Sequence, residues 1–164
     1  MALTYEPLAT TTLGSAAASI TFSSISSSYT DLRIVFVGTG TASSNCAVRF
    51  NSDSTSTYSQ TALYGTGAAA GSSFNSDTMF YLTYYTNLST TIPTFRTMDI
   101  FSYAGSTYKT CLTTENSDLN GSGSVVRTVG LWPVTSAITS IVLSNPSSTF
   151  ATGTTATLYG ILKA

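Results

Sequence analysis

Few side chains in this sequence could take part in catalysis. The chain contains no histidine, so the imidazole base of Ser-His-Asp and Cys-His nucleophiles is excluded. Two cysteines cannot supply the four thiolates of a structural zinc site. The remaining candidates are carboxylates and lysines, namely Asp31, Asp53, Asp77, Asp99, Asp118, Glu6, Glu115, Lys109 and Lys163.

One pair of these acids suits glycoside hydrolysis, which needs two carboxyl groups about 5 to 9.5 Å apart. Asp99 and Glu115 lie on neighbouring predicted strands. An ion pair of Asp99 with Arg127 or Arg49 is the interpretation we favour. We therefore predict that the protein is not an enzyme, with a carboxylate glycosidase as the last alternative.

Oxygen-rich segments give little indication of a bound ion or cofactor. Residues 51–53 and 116–118 both read Asn-Ser-Asp, which could supply calcium ligands but also forms turns on its own. Gly65-Thr66-Gly67 lacks the helix and the Lys-Ser/Thr pair of a phosphate loop. We predict turns at these places, a further turn at Asn120-Gly121, and neither metal nor cofactor.

The charge balance excludes two classes of partner. The 164 residues include 6 basic and 7 acidic ones, and only 8% are charged. Neutralising phosphates needs clustered cations, so we expect no nucleic acid and no anionic membrane as partner. The 27 serines and 31 threonines must solvate the surface instead. Such a surface resists association poorly, which favours a protein that works in an assembly.

The elements that position these residues are predicted to be strands. Thr or Ser alternates with apolar residues in segments with turns between them, and good helix formers are scarce. The predicted strands span residues 8–13, 19–22, 31–37, 45–51, 61–64, 78–85, 94–103, 108–114, 124–132, 138–144 and 154–162. This spacing predicts an all-β antiparallel sandwich of about ten strands, with a jelly roll as the favoured arrangement.

Two further features complete the predicted organisation. Residues 1–8 are predicted to be an extended segment that precedes one sandwich domain over residues 9–164, and residues 65–77 a flexible loop. Cys46 and Cys111 are expected to be small buried side chains, and their spacing leaves open whether they form a disulfide. Residues 1–7 lack the basic and apolar regions of a signal peptide, so none is expected.

Aromatic residues are the main candidates for contact with another molecule, because they offer large apolar area with a polar tip. We predict that the contacts with other copies of the chain or with an assembly partner involve residues of the middle third together with residues of the N-terminal segment. They are Leu3, Tyr5, Pro7, Leu8, Phe74, Tyr81, Tyr84 and Tyr85.

Several short motifs resemble small structural proteins of tailed bacteriophages, in particular those of cyanobacteria and other aquatic hosts. They are LTYEPLATTTL at residues 3–13, ASITF at 18–22, YTDL at 29–32, RFN at 49–51, VGLW at 129–132 and TLYGI at 157–161. The resemblance implies a β-sandwich virion component that assembles in the host cytoplasm.

The resemblance leaves two functions open. The first is a capsid decoration (cement) protein, expected to be a homotrimer that binds the major capsid protein or another virion protein. The absence of heptad and collagen-like repeats favours this unit over a complete fibre. The alternative is a tail-fibre or receptor-binding module whose tyrosines and hydroxyl-rich loops recognise a host surface glycan.

Overall fold

The computed structural model describes residues 5–55 and 57–162. These residues form twelve β-strands and no helix. The strands are β1 (Tyr5–Thr12), β2 (Ser19–Phe22), β3 (Asp31–Gly38), β4 (Ala47–Phe50), β5 (Tyr58–Gly65), β6 (Ala70–Asp77), β7 (Phe80–Tyr81), β8 (Thr94–Phe101), β9 (Lys109–Asp118), β10 (Gly123–Trp132), β11 (Ile141–Ser144) and β12 (Thr155–Ile161).

The strands form two antiparallel sheets. The large sheet has eight strands in the order β1-β12-β3-β8-β9-β10-β5-β6, and the small sheet has four in the order β2-β11-β4-β7. The prediction of an all-β antiparallel sandwich is therefore confirmed. The predicted hairpin of residues 94–114 is also present, as β8 paired with β9.

Two hairpins make the large sheet twice as wide as the small one. β5–β6 lies between β4 and β7 in the chain, and β9–β10 lies between β8 and β11. Both join the large sheet beside β8, where β10 pairs with β5. The other eight strands divide evenly, with β1, β12, β3 and β8 in one sheet and β2, β11, β4 and β7 in the other.

The hydrophobic core lies between the two sheets. Alternation along β3 buries Leu32, Ile34 and Phe36, because successive side chains of a strand point to opposite faces. Such burial contributes roughly 1.5–3 kcal/mol for each large apolar side chain.

Four rings join the sheets at one end of the core. Phe50 of the small sheet lies 5.5 Å from Phe80 and 5.5 Å from Trp132, and Tyr58 lies 4.8 Å from Phe80, between ring centroids. A Cβ on Gly130 would lie 2.4 Å from the Phe80 ring, so this strand position needs glycine. The indole N–H of Trp132 donates to Asp53 at 2.9 Å.

The start of the described chain belongs to the large sheet. The boundary predicted after residue 8 falls inside β1, whose residues Tyr5, Glu6 and Pro7 pair with β12. The register shifts between Pro7 and Ala9, which makes Leu8 a bulge. Proline fits here because it lacks the N–H of a sheet ladder and is tolerated at sheet edges and bulges.

The predicted flexible loop over residues 65–77 is wrong. These residues form the end of β5, a short turn and β6, and Thr66 N–H donates to the Ala69 carbonyl at 2.9 Å across the turn. Backbone pairing with β5 makes this segment a strand, although its Ser and Gly residues have little preference for strands.

The predicted turn at Asn120-Gly121 is confirmed. Both residues have positive φ, 59° and 105°, and Leu119 N–H donates to the Ser122 carbonyl at 2.8 Å. Two positive φ values in a row are typical of the turns that join antiparallel strands.

Candidate functional site

The outer face of the large sheet, meaning the side that points away from the small sheet, carries large exposed apolar side chains. Leu63 is 64% exposed, Phe74 84%, Val125 61% and Val129 50%. These four residues, which we call the hairpin patch, belong to β5, β6 and β10. A contiguous exposed apolar patch of this kind marks a contact site for another molecule.

The strand register makes the hairpin patch continuous. Leu63 lies opposite Arg127, which separates Val125 from Val129 on β10. Thr61 lies opposite both Val129 and Phe74. Leu63 is therefore a diagonal neighbour of the other three patch residues, within reach of their side chains.

The apolar character continues towards the other end of the outer face. Phe95 on β8 lies opposite Val37 on β3, and both are exposed, as is Phe101. Asn116 connects this region with the hairpin patch, because it lies opposite both Phe95 and Val125. Exposed apolar side chains therefore occur on five strands of the outer face, β3, β8, β10, β5 and β6, with polar residues such as Asn116 between them.

The N-terminal contact candidates lie on or beneath the outer face. The Tyr5 ring packs on Tyr159 with centroids 4.8 Å apart, and the Arg33 guanidinium lies 5.8 Å from the Tyr5 centroid. Pro7 is exposed, whereas Leu8 packs against the core. Leu3 lies outside the described residues.

The structure separates the candidates of the middle third. Phe74 shares the outer face with Thr61 and also borders a cleft of about 330 Å³ between β6 and β7, which Tyr81 and Tyr84 line and which we call the aromatic cleft. Its full lining is Asn45, Ser73, Phe74, Asn75, Tyr81, Thr83 and Tyr84.

Hydrogen bonds fix the rings of the aromatic cleft. Tyr84 and Ser73 share a hydrogen bond of 2.9 Å between their hydroxyls, and the Tyr81 hydroxyl donates to Asp77 at 2.8 Å. Tyr85 stacks on Tyr64 at 4.1 Å and does not line the cleft. Rings with nearby amides and hydroxyls suit a flat ligand that has both apolar and hydroxyl surfaces.

A buried ion pair anchors residues 82–86, which follow β7 in the chain. Arg96 and Glu115 are almost completely buried, with 3.8 Å between nitrogen and oxygen. Glu115 accepts backbone N–H bonds from Thr86 at 2.7 Å and from Tyr85 at 3.3 Å, and Arg96 donates to the Leu82 carbonyl at 3.1 Å. Burial raises the pKa of Glu115, and the Arg96 guanidinium opposes that rise.

The predicted couple of Asp99 and Glu115 does not form, because the two acids lie on opposite faces of the large sheet. Asp99 is on the outer face opposite Leu112, whereas Glu115 is on the inner face opposite Arg96. The ion-pair partner of Asp99 is also different from the expected Arg127 or Arg49. It is Arg33, at 2.5 Å and 2.8 Å.

The other chemical candidates have structural partners. The Lys109 ammonium donates to the carbonyls of Gly105, Thr107 and Thr135. The Asn51 side chain donates to the Ala137 carbonyl and accepts from the N–H groups of Thr139 and Ser140. Among the described residues, no group of three or more Cys, Asp or Glu side chains could hold a metal ion.

Both thiols are buried, as predicted. Cys46 and Cys111 do not form a disulfide. Burial raises the pKa of Cys46 to about 12 and also raises the pKa of Cys111.

The sequence analysis did not identify Leu63, Val125 and Val129. A signal for them exists in β10, where Val125 and Val126 are adjacent and therefore point to opposite faces. A strand with apolar residues on both faces needs cover on both. The single apolar residue that faces outwards from β5, Leu63, gains its meaning only from the pairing with β10.

No helix within residues 5–55 and 57–162 is long and apolar enough to cross a membrane. Comparison of the chain with protein-family models finds no match, and comparison with curated proteins finds none either.

Proposed function

We propose that this protein is a structural component of a bacteriophage virion, a homo-oligomer that decorates and stabilises the assembled capsid. The exposed apolar outer face of the large sheet is the observation that carries this proposal. The motifs that resemble phage structural proteins supply the setting. The partner is the major capsid protein or another protein of the shell, and no catalysis is required.

The fold assignment that accompanies this proposal is a jelly roll extended by two hairpins. The sheets β1-β12-β3-β8 and β2-β11-β4-β7 have the division expected of an eight-stranded double Greek key. The inserted hairpins β5–β6 and β9–β10 contribute all four residues of the hairpin patch. We infer that the hairpins are the part of the fold devoted to contact.

The dimensions of the outer face support a stable contact. Eight strands about 4.8 Å apart, each with about eight residues of 3.3 Å rise, give a face of roughly 1,000 Å². A standard protein interface buries about 800 Å² on each partner. The outer face is therefore large enough for one specific interface, and its apolar residues supply the driving force.

Stabilisation of the shell would follow from mass action. A protein that binds the assembled lattice and not the free subunits shifts the equilibrium away from subunit loss. Few charges are available, so attachment should depend on apolar burial rather than on ion pairs. Attachment should consequently survive 1 M salt, where the Debye length is about 3 Å.

The experiment removes the protein from purified capsids and lets it bind again at low salt and at 1 M salt. We expect equal occupancy in the two conditions, and copies per virion on the order of hundreds, in keeping with a repeated lattice site. Release by moderate salt, or a copy number of a dozen or two, would contradict capsid decoration.

The aromatic cleft favours a second candidate function, recognition of a host surface glycan by a tail-fibre or receptor-binding module. A sugar ring has an apolar side that stacks on tyrosine and hydroxyls that bond to amides. Asn45 and Asn75 are the amides of the cleft.

This candidate is tested by binding of host surface polysaccharide to the protein and to Tyr84→Ala. Loss of binding in Tyr84→Ala supports glycan recognition. The control is Tyr108→Ala, which removes an exposed tyrosine outside the cleft. Absence of binding to the unmodified protein, or an equal loss in both variants, would contradict it.

A further inference from the structure

The four edges of the two sheets are not equally protected against pairing with another strand. β1 and β6 bound the large sheet, and β2 and β7 bound the small one. β1 carries Pro7 and a bulge, while β2 has four residues and β7 only two. Proline, bulges and short length are the devices by which proteins prevent unwanted strand addition.

β6 has none of these devices. Its eight residues are all in register with β5, without a shift, and its sequence AGSSFNSD contains no proline, lysine or arginine. Five of the eight residues are exposed. An edge of this length offers a row of backbone N–H and C=O groups to a further strand.

β6 is also held in place by the neighbouring Tyr64 and Tyr85 rings. A Cβ on Gly71 would lie 2.7 Å from the Tyr64 hydroxyl, so glycine at this position lets the Tyr64 ring close over the strand. Tyr64 is stacked on Tyr85 in turn. The edge is therefore presented in a fixed conformation, which lowers the ordering cost of binding.

The geometry of an antiparallel ladder restricts how β6 can pair with a copy of itself. Alternate residues direct their N–H and C=O groups to the same side, so opposed residue numbers must add to an even sum. A two-fold axis at Phe74 meets this condition. It places Phe74 opposite Phe74 of the second copy, and Ser72 opposite Ser76.

This register is self-complementary in charge and in shape. Asp77 is the single charged residue of β6, and it falls opposite Gly71 of the second copy, so no like charges face each other. The two Phe74 rings meet on the outer face as a cross-strand aromatic pair, which is stabilising. Phe74 is the most exposed of the large apolar side chains in the described residues.

We propose that two copies of this chain join through antiparallel pairing of β6 with β6, with the two-fold axis at Phe74. The two large sheets then form one sheet of sixteen strands. The two outer faces become one continuous apolar surface, and both hairpin patches lie beside the axis.

Cysteine cross-linking tests both the pairing and its register. Directly opposed residues have Cα atoms about 4.5–5.5 Å apart, within the range of about 4.4–6.8 Å that a disulfide spans. The native thiols are buried, so an added surface cysteine is the one that reacts. We expect Phe74→Cys to form a covalent dimer in mild oxidant, and Ser76→Cys alone to form none.

The Ser76→Cys control shares the strand and the outer face with Phe74→Cys. Its two copies of Cys would be four residues apart along the strand, about 13 Å. A second arm keeps Phe74 in place: Ser72→Cys mixed with Ser76→Cys should cross-link, while each variant alone should not. Equal cross-linking of Phe74→Cys and Ser76→Cys, or no cross-link in the mixture, would overturn the proposed register.

Sedimentation of the full chain tests the dimer itself. We expect the unmodified protein to sediment at twice its chain mass of 17.1 kDa and Phe74→Lys at the chain mass, because two lysines would face each other across the axis. Phe95→Lys, an exposed position in the middle of the outer face, should remain a dimer. A monomeric or trimeric unmodified protein, or a dimeric Phe74→Lys, would overturn the proposal.

Discussion

The outward faces of the two sheets are built from different residue types. The large sheet exposes large apolar side chains, of which Leu63, Phe74, Val125 and Val129 are the most exposed, among polar ones such as Arg127. The small sheet has a mainly polar outward face. Its outward positions in β2, β4 and β11 hold Ser19, Thr21, Ala47, Arg49, Val142 and Ser144, and Ala47 is buried.

The difference between the two outward faces shows that a sheet of this fold does not need apolar residues on its outward side. Both sheets bury apolar side chains in the same core, and the small sheet does so with a solvated outer surface. An antiparallel sheet that is covered on one side therefore needs no apolar residues on the other. The exposed apolar residues on the outer face of the large sheet do not cover the core, so we interpret them as a contact surface.

The largest expected effect concerns the anchor on the inner side of the large sheet. Glu115→Ala leaves the Arg96 guanidinium buried without its carboxylate and removes two backbone hydrogen bonds. We expect a loss of roughly 3–5 kcal/mol in the free energy of unfolding, measured by urea denaturation.

The matched control is Asp99→Asn, which breaks the ion pair on the outer face. The side chain of Arg33 is 38% exposed and that of Asp99 is 17% exposed, so we expect a loss below about 1 kcal/mol. Equal losses in the two variants would show that the ion pairs on the inner and outer faces of the large sheet contribute equally to the free energy of unfolding, contrary to this expectation.

Acidic substitutions on each outward face test whether the large sheet, and not the small sheet, makes the contact with the capsid. Leu63→Asp with Val129→Asp should weaken attachment to capsids at least about 100-fold, or about 2.8 kcal/mol, because the carboxylates must be desolvated in the contact. Thr21→Asp with Ser144→Asp, on the small sheet, should leave attachment unchanged. Both can be measured by capsid pelleting, with circular dichroism as the check on folding.

Alkaline pH tests the burial of Tyr58, whose ring packs between the sheets against Phe50 and Phe80. Burial raises the pKa of Tyr58 to about 12, against about 10 in an unfolded chain. The neutral Tyr58 side chain is favoured in the folded state, so its contribution to the free energy of unfolding is fully present below pH 10. This contribution is lost as the pH rises from 10 to 12, because the unfolded chain loses the proton first. Tyr58→Phe should therefore lose less stability than the unmodified protein over that range, as thermal melts at pH 9 to 12 would show.

The smallest expected effect is on thiol reactivity, and each sheet has one thiol that can be measured. Cys46 directly precedes β4 of the small sheet, and Cys111 lies in β9 of the large sheet. Because burial raises both pKa values, we expect very slow alkylation of both thiols at pH 8 in the folded protein, at similar rates. Faster reaction of Cys46 would indicate that the small sheet opens alone.

The sequence predicts the fold class well where the side chains alternate. In β2 the polar Ser19 and Thr21 alternate with the apolar Ile20 and Phe22, and Gly105-Ser106 indicates the turn between β8 and β9. β6 could not be predicted in this way, because backbone pairing with β5 and not its own side chains makes it a strand.

The contact surface was less predictable than the fold. The hairpin patch depends on pairing β5 with β10, which are about sixty residues apart in the chain. No local pattern reports such a pairing. The aromatic content did indicate Phe74, but it could not show that Tyr81 and Tyr84 line the aromatic cleft, with Phe74 where the cleft meets the outer face. That arrangement follows from the pairing of β6 with β5, which no local pattern reports.

Pro7 determines how far the proposed pairing can extend. A subunit with two open edges would have a valence of two and could grow by stepwise addition into a fibre. The proline and the bulge in β1 leave only one open long edge, so each chain has a valence of one. Addition of a second copy therefore terminates the sheet, and higher protein concentration fills the pair without extending it into a fibre.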